Sequence, residues 1–258
     1  MHRVLADAGV ASRRACEALI EDGGVRVNGR VVRQNPTWVD PASDQIEVAG
    51  EVVRPADRLL YVLLNKPARF LCTAKSEPHD TRRTVLDLVD HPSGIRLFPV
   101  GRLDFETTGL LVLTNDGEMA NRLTHPRYAI EKTYHALVRG RLDDDDAREI
   151  ARGIYLADRK AGHTVGALRT GHVTVEISKR DRDRTTLRLT LREGRNREVR
   201  RLLASVGCPV KRLERVEMGP LRLKGVARGA WRELTRDEIR ALRRCTTRRD
   251  RDSRARDS

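Results

Sequence analysis

No run in this 258-residue chain approaches the ~20 apolar residues that a membrane-spanning helix needs, so a helical membrane protein is not expected. The opening Met1-His2-Arg3-Val4-Leu5 lacks the apolar core of a secretory signal. Cysteine is scarce and scattered. Cys16, Cys72, Cys208 and Cys245 form no Cys-x-x-Cys and no Cys/His pairing at zinc spacing, which argues against a disulfide framework and a zinc site. A reducing cytoplasm is the expected compartment. Also missing are a P-loop, a Gly-x-Gly-x-x-Gly fingerprint, a Gly-x-Ser-x-Gly elbow and a His-Glu-x-x-His pair. The run Asp143 to Asp146 precedes Ala147-Arg148-Glu149-Ile150 and reads as an acidic helix start, not a metal site. No metal and no cofactor are expected.

What the chain does have is positive charge. Its formal net charge is +14, with 34% charged and 39% hydrophobic residues, polar for a globular protein but not for a disordered one. Arginine outnumbers lysine 44 to 7. A GC-rich genome accounts for that choice of base but not for the excess of basic over acidic residues. A polyanion partner, most simply a nucleic acid, does. The charge is uneven: residues 1–55 carry seven basic and eight acidic side chains, whereas 240–258 carry eight Arg and three Asp.

Residues 1–55 read as a compact α-then-β module. Ser12 is an N-cap, with Ala15, Leu19 and Ile20 on one helical face and Gly23-Gly24 closing the helix. Val25-Arg26-Val27 alternates, Asn28-Gly29 signals a hairpin, Val31-Val32 continues it, and Gln45 to Val48 adds a strand. Arg13 and Arg14 oppose the helix dipole in the first turn, a placement that suits a phosphate site as well as a solvated helix start. A polar linker is expected over 49–58 and a second domain over 59–243. The second domain opens with the apolar run Leu59 to Leu64. Short helices are expected over 84–89 and 118–124, strands over 110–114, 132–138, 173–177 and 186–191, and an amphipathic helix carrying Val199, Leu202, Leu203 and Val206. Many strands without βαβ alternation make an α+β fold on a mixed, largely antiparallel sheet. Residues 244–258 lack apolar periodicity and read as a basic disordered tail.

Two resemblances follow from these residues. Val4-Leu5-Ala6-Asp7-Ala8-Gly9-Val10-Ala11-Ser12-Arg13-Arg14, then Glu17-x-Leu19-Ile20 and Val25-x-Val27-Asn28-Gly29, resembles the RNA-binding module first described in ribosomal protein S-four. That likeness implies RNA binding, without chemistry. The second sits on Gly101-Arg102-Leu103-Asp104-Phe105-Glu106-Thr107-Thr108-Gly109 and the strand after it, to Gly117. A carboxylate in a glycine-bracketed loop before a buried strand is usually a turn former, though such a loop can also hold it at the rim of a cleft with support from below. The string resembles the signature of RNA pseudouridine synthases, and the likeness makes Asp104 the catalytic residue. Lys132-Thr133-Tyr134 resembles the element that supplies an active-site tyrosine, and Glu193 to Leu202 the third motif. Ala68-Arg69 departs from the family, in which a residue and then a glycine follow Lys66-Pro67, so an altered turn is expected there.

The resemblance implies an rRNA pseudouridine synthase that flips a uridine out of folded RNA, cuts the base–ribose bond and rejoins the base through carbon. Asp104 would act as nucleophile or base, Tyr134 would stack on the base, and Arg195 would orient Asp104. Lys66, Arg102, Arg197 and Arg200, with Arg13 and Arg14, would contact RNA. The expected partner is large-subunit rRNA or an assembly intermediate, and the expected form a monomer. The rivals are a non-catalytic ribosome-assembly factor and a methyltransferase carrying the same small module.

Overall fold

A computed structural model of the protein describes residues 1–54, 58–74, 80–160 and 163–254, with the side chains of 158–160, 163–165 and 248–254 left aside. The chain divides into two compact units. One comprises Met1–Leu60 with His91–Leu97 and Thr114–Gly117, and the other the remainder.

The first unit contains α1 (His2–Asp7), α2 (Arg13–Glu21), β1 (Val25–Val27), β2 (Arg30–Val32), β3 (Ile46–Val48) and β4 (Glu51–Val52). Ser12 caps α2, its Oγ accepting from the Ala15 N–H at 3.3 Å. Cys16 and Ile20, not Ala15, take the buried face, and they pack with Met1, Leu5, Val25 and Ile46. Asn28 and Gly29 both have positive φ, 50° and 78°, the turn that joins β1 to β2 without splaying them. β4 pairs with β3 and the Val53 N–H reaches the Ile46 carbonyl, so structure continues into the stretch read as linker from 49. Residues 55–57 of that linker lie outside the described residues.

The second unit is built on a nine-stranded sheet, with β5 (Tyr61–Lys66), β6 (Phe98–Pro99), β7 (Thr108–Thr114), β8 (Lys132–Arg139), β11 (Thr174–Arg180), β12 (Arg184–Leu191), β13 (Val210–Met218), β14 (Leu221–Arg222) and β15 (Trp231–Glu233). Between β8 and β11 the chain forms a separate hairpin, β9 (Tyr155–Lys160) with β10 (His163–Arg169). The helices are α3 (Gly117–Thr124), α4 (Asp144–Arg152), α5 (Glu198–Ser205) and α6 (Arg236–Arg254). Strand order is β11-β12-β8-β13-β7-β5-β15, with β6 on β7 and β14 on β13. The β13–β7 pairing is parallel, and β11–β12, β12–β8, β8–β13 and β15–β5 are antiparallel.

Every residue of β5 is buried, as are Gly109 to Thr114 of β7, which is why Tyr61 to Leu64 and Leu110 to Leu113 run continuously apolar and do not alternate. Leu187, Leu189, Leu191, Val199, Leu202 and Leu203 belong to one core. Leu63, Val100, Leu110, Val112, Met119 and Leu123 belong to another.

The expectation of disorder from residue 244 is not met. α6 runs through it to Arg254 because its start carries apolar residues to the core: Leu242 is fully buried, Cys245 packs beside it, and Thr246 is buried. Residues 255–258 lie outside the described residues.

Candidate active site

Asp104 sits in the loop between β6 and β7, and the loop is held from beneath. The Lys66 side chain, at the end of β5, has no exposed surface. Its ammonium donates to the carbonyls of Pro67, Asp104, Phe105 and Thr107 at 3.1, 3.2, 3.3 and 2.9 Å. Burial pushes the Lys66 pKa down, against the pull of the Cys72, Asp104 and Glu106 side chains. The Leu103 N–H reaches Cys72 Sγ at 3.3 Å, and the Thr107 N–H closes a turn onto the Asp104 carbonyl at 3.0 Å. Lys66 is therefore not an RNA-facing cation, as the sequence suggested. Its charge is spent on carbonyls that point inward under the loop.

The unusual Ala68-Arg69 pair does not abolish the turn after Pro67. Arg69 adopts φ +67°, the left-handed region that glycine occupies most easily, and its N–H bonds the Phe105 carbonyl at 2.7 Å.

Above the loop, Arg200 Nε lies 3.5 Å and Arg197 Nη1 3.8 Å from Asp104 Oδ2. Arg200 also donates to Thr107 Oγ1 at 3.3 Å. Its side chain is only 14% exposed against 52% for Arg197, so Arg200 is the less screened partner. Burial, and then the Arg197 charge, lower the Arg200 pKa, while Asp104 and Glu106 oppose them. Arg195 does not hold Asp104. Its Nε faces Glu193 Oε2 at 2.9 Å, and Arg200 is the arginine brought to Asp104, because α5 starts after Arg195 and carries Arg200 inward. Glu198, also buried, accepts from the Arg195 N–H at 3.0 Å, and burial raises its pKa.

Asp104 and Tyr134 line one cavity of about 130 Å³ with Arg102, Arg195, Arg197 and Arg200. Tyr134, on β8, is partly exposed there. The same walls include Lys132, Glu193, Glu198, Leu213, Arg215 and Met218. Six basic side chains thus face three carboxylates, a field that favours an anion or developing negative charge. Arg13 and Arg14 belong to the other unit, where both are exposed in the first turn of α2. Lys132 and Glu198 stand within the motif strings but were given no role from sequence, and Arg215 was not singled out at all. Arg215 follows Leu213 at the two-residue period of one strand face, a signal that Lys211, Arg212, Glu214 and Glu217 obscure. Among the described residues, no group of three or more His, Cys, Asp or Glu could hold a metal ion.

A carboxylate faced by two guanidiniums, in one cavity with a tyrosine, is a constellation able to support covalent or general-base chemistry. The family description RNA pseudouridylate synthase matches residues 60–205, and that of the S4 domain matches residues 2–35. The chain belongs to the RNA pseudouridylate synthase family. It is similar to an uncharacterized RNA pseudouridine synthase of Aquifex aeolicus (strain VF5), 43% identical over 94% of this chain and 92% of that protein. It is also similar to ribosomal large subunit pseudouridine synthase B of Bacillus subtilis (strain 168), 41% identical over 94% of this chain and 95% of that protein. The protein of that name from Escherichia coli O157:H7 is 38% identical over 94% and 82%. A crystal structure of a pseudouridylate synthase superposes with a TM-score of 0.66 at 28% identity, covering 93% of this chain and 98% of the other. The protein is an RNA-modifying isomerase that carries an S4 domain.

Proposed function

We propose that the protein converts a uridine of large-subunit rRNA, or of its assembly intermediate, into pseudouridine in the cytoplasm, acting as a monomer. The observation that carries this reading is Asp104, fastened from below by Lys66 and faced from above by Arg200 and Arg197. The names of the Bacillus subtilis and Escherichia coli relatives support the ribosomal large subunit as target. Asp104 is the reacting carboxylate, either attacking the anomeric carbon or removing a ribose proton. Both routes release the base with the bonding electron pair, let it turn, and rejoin it through C5. Arg200, assisted by Arg197, fixes the carboxylate direction. Tyr134 stacks on the flipped uracil, and its hydroxyl moves a proton. Arg102, Arg13 and Arg14 meet phosphates.

A non-catalytic assembly factor would have no use for a buried lysine spent on the Asp104 loop. The test is rRNA tritiated at uracil C5, from which only the isomerase releases label. Asp104→Asn is nearly isosteric, so RNA affinity stays within about threefold while release falls below a few per cent of wild type. Substantial residual release removes Asp104 from the chemistry. Offering large- and small-subunit rRNA separately tests the target, and modification confined to the small-subunit RNA overturns that part alone.

A further inference from the structure

Arg215 is a buried charge that the roles assigned above leave without employment. It lies on β13, directly opposite Tyr134 of β8 and beside Gly109 of β7. The approach to Gly109 is close. A Cβ at that residue, whose φ is +103°, would stand 2.2 Å from the Arg215 carbonyl oxygen. That contact fixes the Arg215 backbone, and its Nε then donates to the Leu110 carbonyl at 2.8 Å. The residue is 2% exposed, yet Nη2 is buried with no hydrogen-bond partner. Among the described residues no carboxylate lies within ion-pair distance of the guanidinium. Anchoring one carbonyl needs only a neutral donor. Burying a guanidinium with an unmade bond is costly, and such groups persist where a ligand completes them.

The ligand is defined by the wall on which Arg215 sits, because the same cavity holds Asp104 and Tyr134. Resting on the pseudouridine synthase reading above, the departing uracil takes the electron pair of the C1′–N1 bond. Its negative charge spreads from N1 onto the carbonyl oxygens O2 and O4. The charge disappears when C5 bonds to C1′, and the C5 proton then leaves as N1 takes up a proton. We propose that the Arg215 guanidinium donates to a carbonyl oxygen of the target uracil and stabilises the base while it is detached. A neutral donor would serve to recognise uracil, whereas a charged one serves the anion, which is what selects arginine here.

The experiment follows single-turnover conversion at saturating enzyme on RNA carrying uridine, 2-thiouridine or 4-thiouridine at the position that the wild type modifies. Sulfur is the poorer acceptor, so one of the two thio substitutions slows the wild type. Arg215→Lys and Arg215→Met, checked for folding by circular dichroism, lose about 10²–10³-fold in rate with RNA affinity within about threefold. In both variants the slowing thio substitution has no further effect, a coupling that a purely structural arginine would not show. The proposal is overturned if neither thio substitution slows the wild type, a result independent of how the variants fold. Wild-type rates in the variants also overturn it, as do thio effects that simply multiply. Weaker RNA binding with an intact rate at saturation would instead assign Arg215 to a phosphate. A wild type that converts no uridine at all would sink the assigned function, not this role.

Discussion

Asp104 and Tyr134 were legible as residues because each sits in a distinctive string, and the structure brings both to one cavity. The choice among the nearby arginines was not legible. Arg195, Arg197 and Arg200 occupy one short stretch, and only the point where α5 begins decides which one turns inward. This yields a ranking. Arg200→Ala should lower turnover at least about a hundredfold, since it removes the less screened cation facing Asp104, the carboxylate proposed to react. Arg195→Ala should cost less than about tenfold and little stability, because its pair with Glu193 is about one-third exposed on each side and such pairs contribute about 0–1 kcal/mol. Single-turnover assays of the two variants settle the order, and the reverse ranking would return the orienting role to Arg195.

Among the elements, those with a plain signal were read correctly: the capped α2, the Asn28-Gly29 hairpin, the apolar β5 and β7, and the stripe of α5. β13 was missed, although it runs between β8 and β7 and carries Arg215. Its sequence, Val-Lys-Arg-Leu-Glu-Arg-Val-Glu-Met, places a charge at five of nine positions. The arginine stems and ion pairs that make this tolerable, such as Arg188 with Glu217 at 2.8 Å, are tertiary facts that no local pattern contains. The hairpin of β9 and β10 was likewise unseen. The turn after β5 offers an element-scale test. Arg69 holds a left-handed φ at a cost of about 1–2 kcal/mol relative to glycine. Arg69→Gly should therefore raise Tm by roughly 2–4 °C, net of the added chain entropy, and leave turnover unchanged or faster. A fall in Tm on calorimetry would mean that the Arg69 side chain does more than occupy the turn.

At the scale of the whole molecule, the two-part organisation and the α+β class follow from the order of signals along the chain, whereas the end of the second unit did not. The composition after Arg243 is too polar to announce a helix, and only burial of Leu242 and Thr246 explains why α6 forms. Ending the chain after Thr247 should leave Tm nearly unchanged and flatten the dependence of RNA affinity on salt. The log–log slope should fall by about 0.7–0.9 for each phosphate that the shortened chain no longer neutralises. Ending it after Thr235 should destabilise strongly, because exposing the site of one buried leucine alone costs about 2–5 kcal/mol. Equal melting temperatures for the two truncations would show that α6 does not stabilise the unit.

The burial of Lys66 has a further use. The chain has only seven lysines, so acylating reagents find few amines. Lys179 is 70% exposed at its side chain, while Lys66 is sealed beneath four carbonyls. Acylation at Lys66 must wait for the Asp104 loop to lift. Its rate, read by mass spectrometry against Lys179, is a stopwatch for loop opening, and bound RNA should slow it selectively. Equal rates at the two lysines would mean that the loop breathes too often for the clamp to matter.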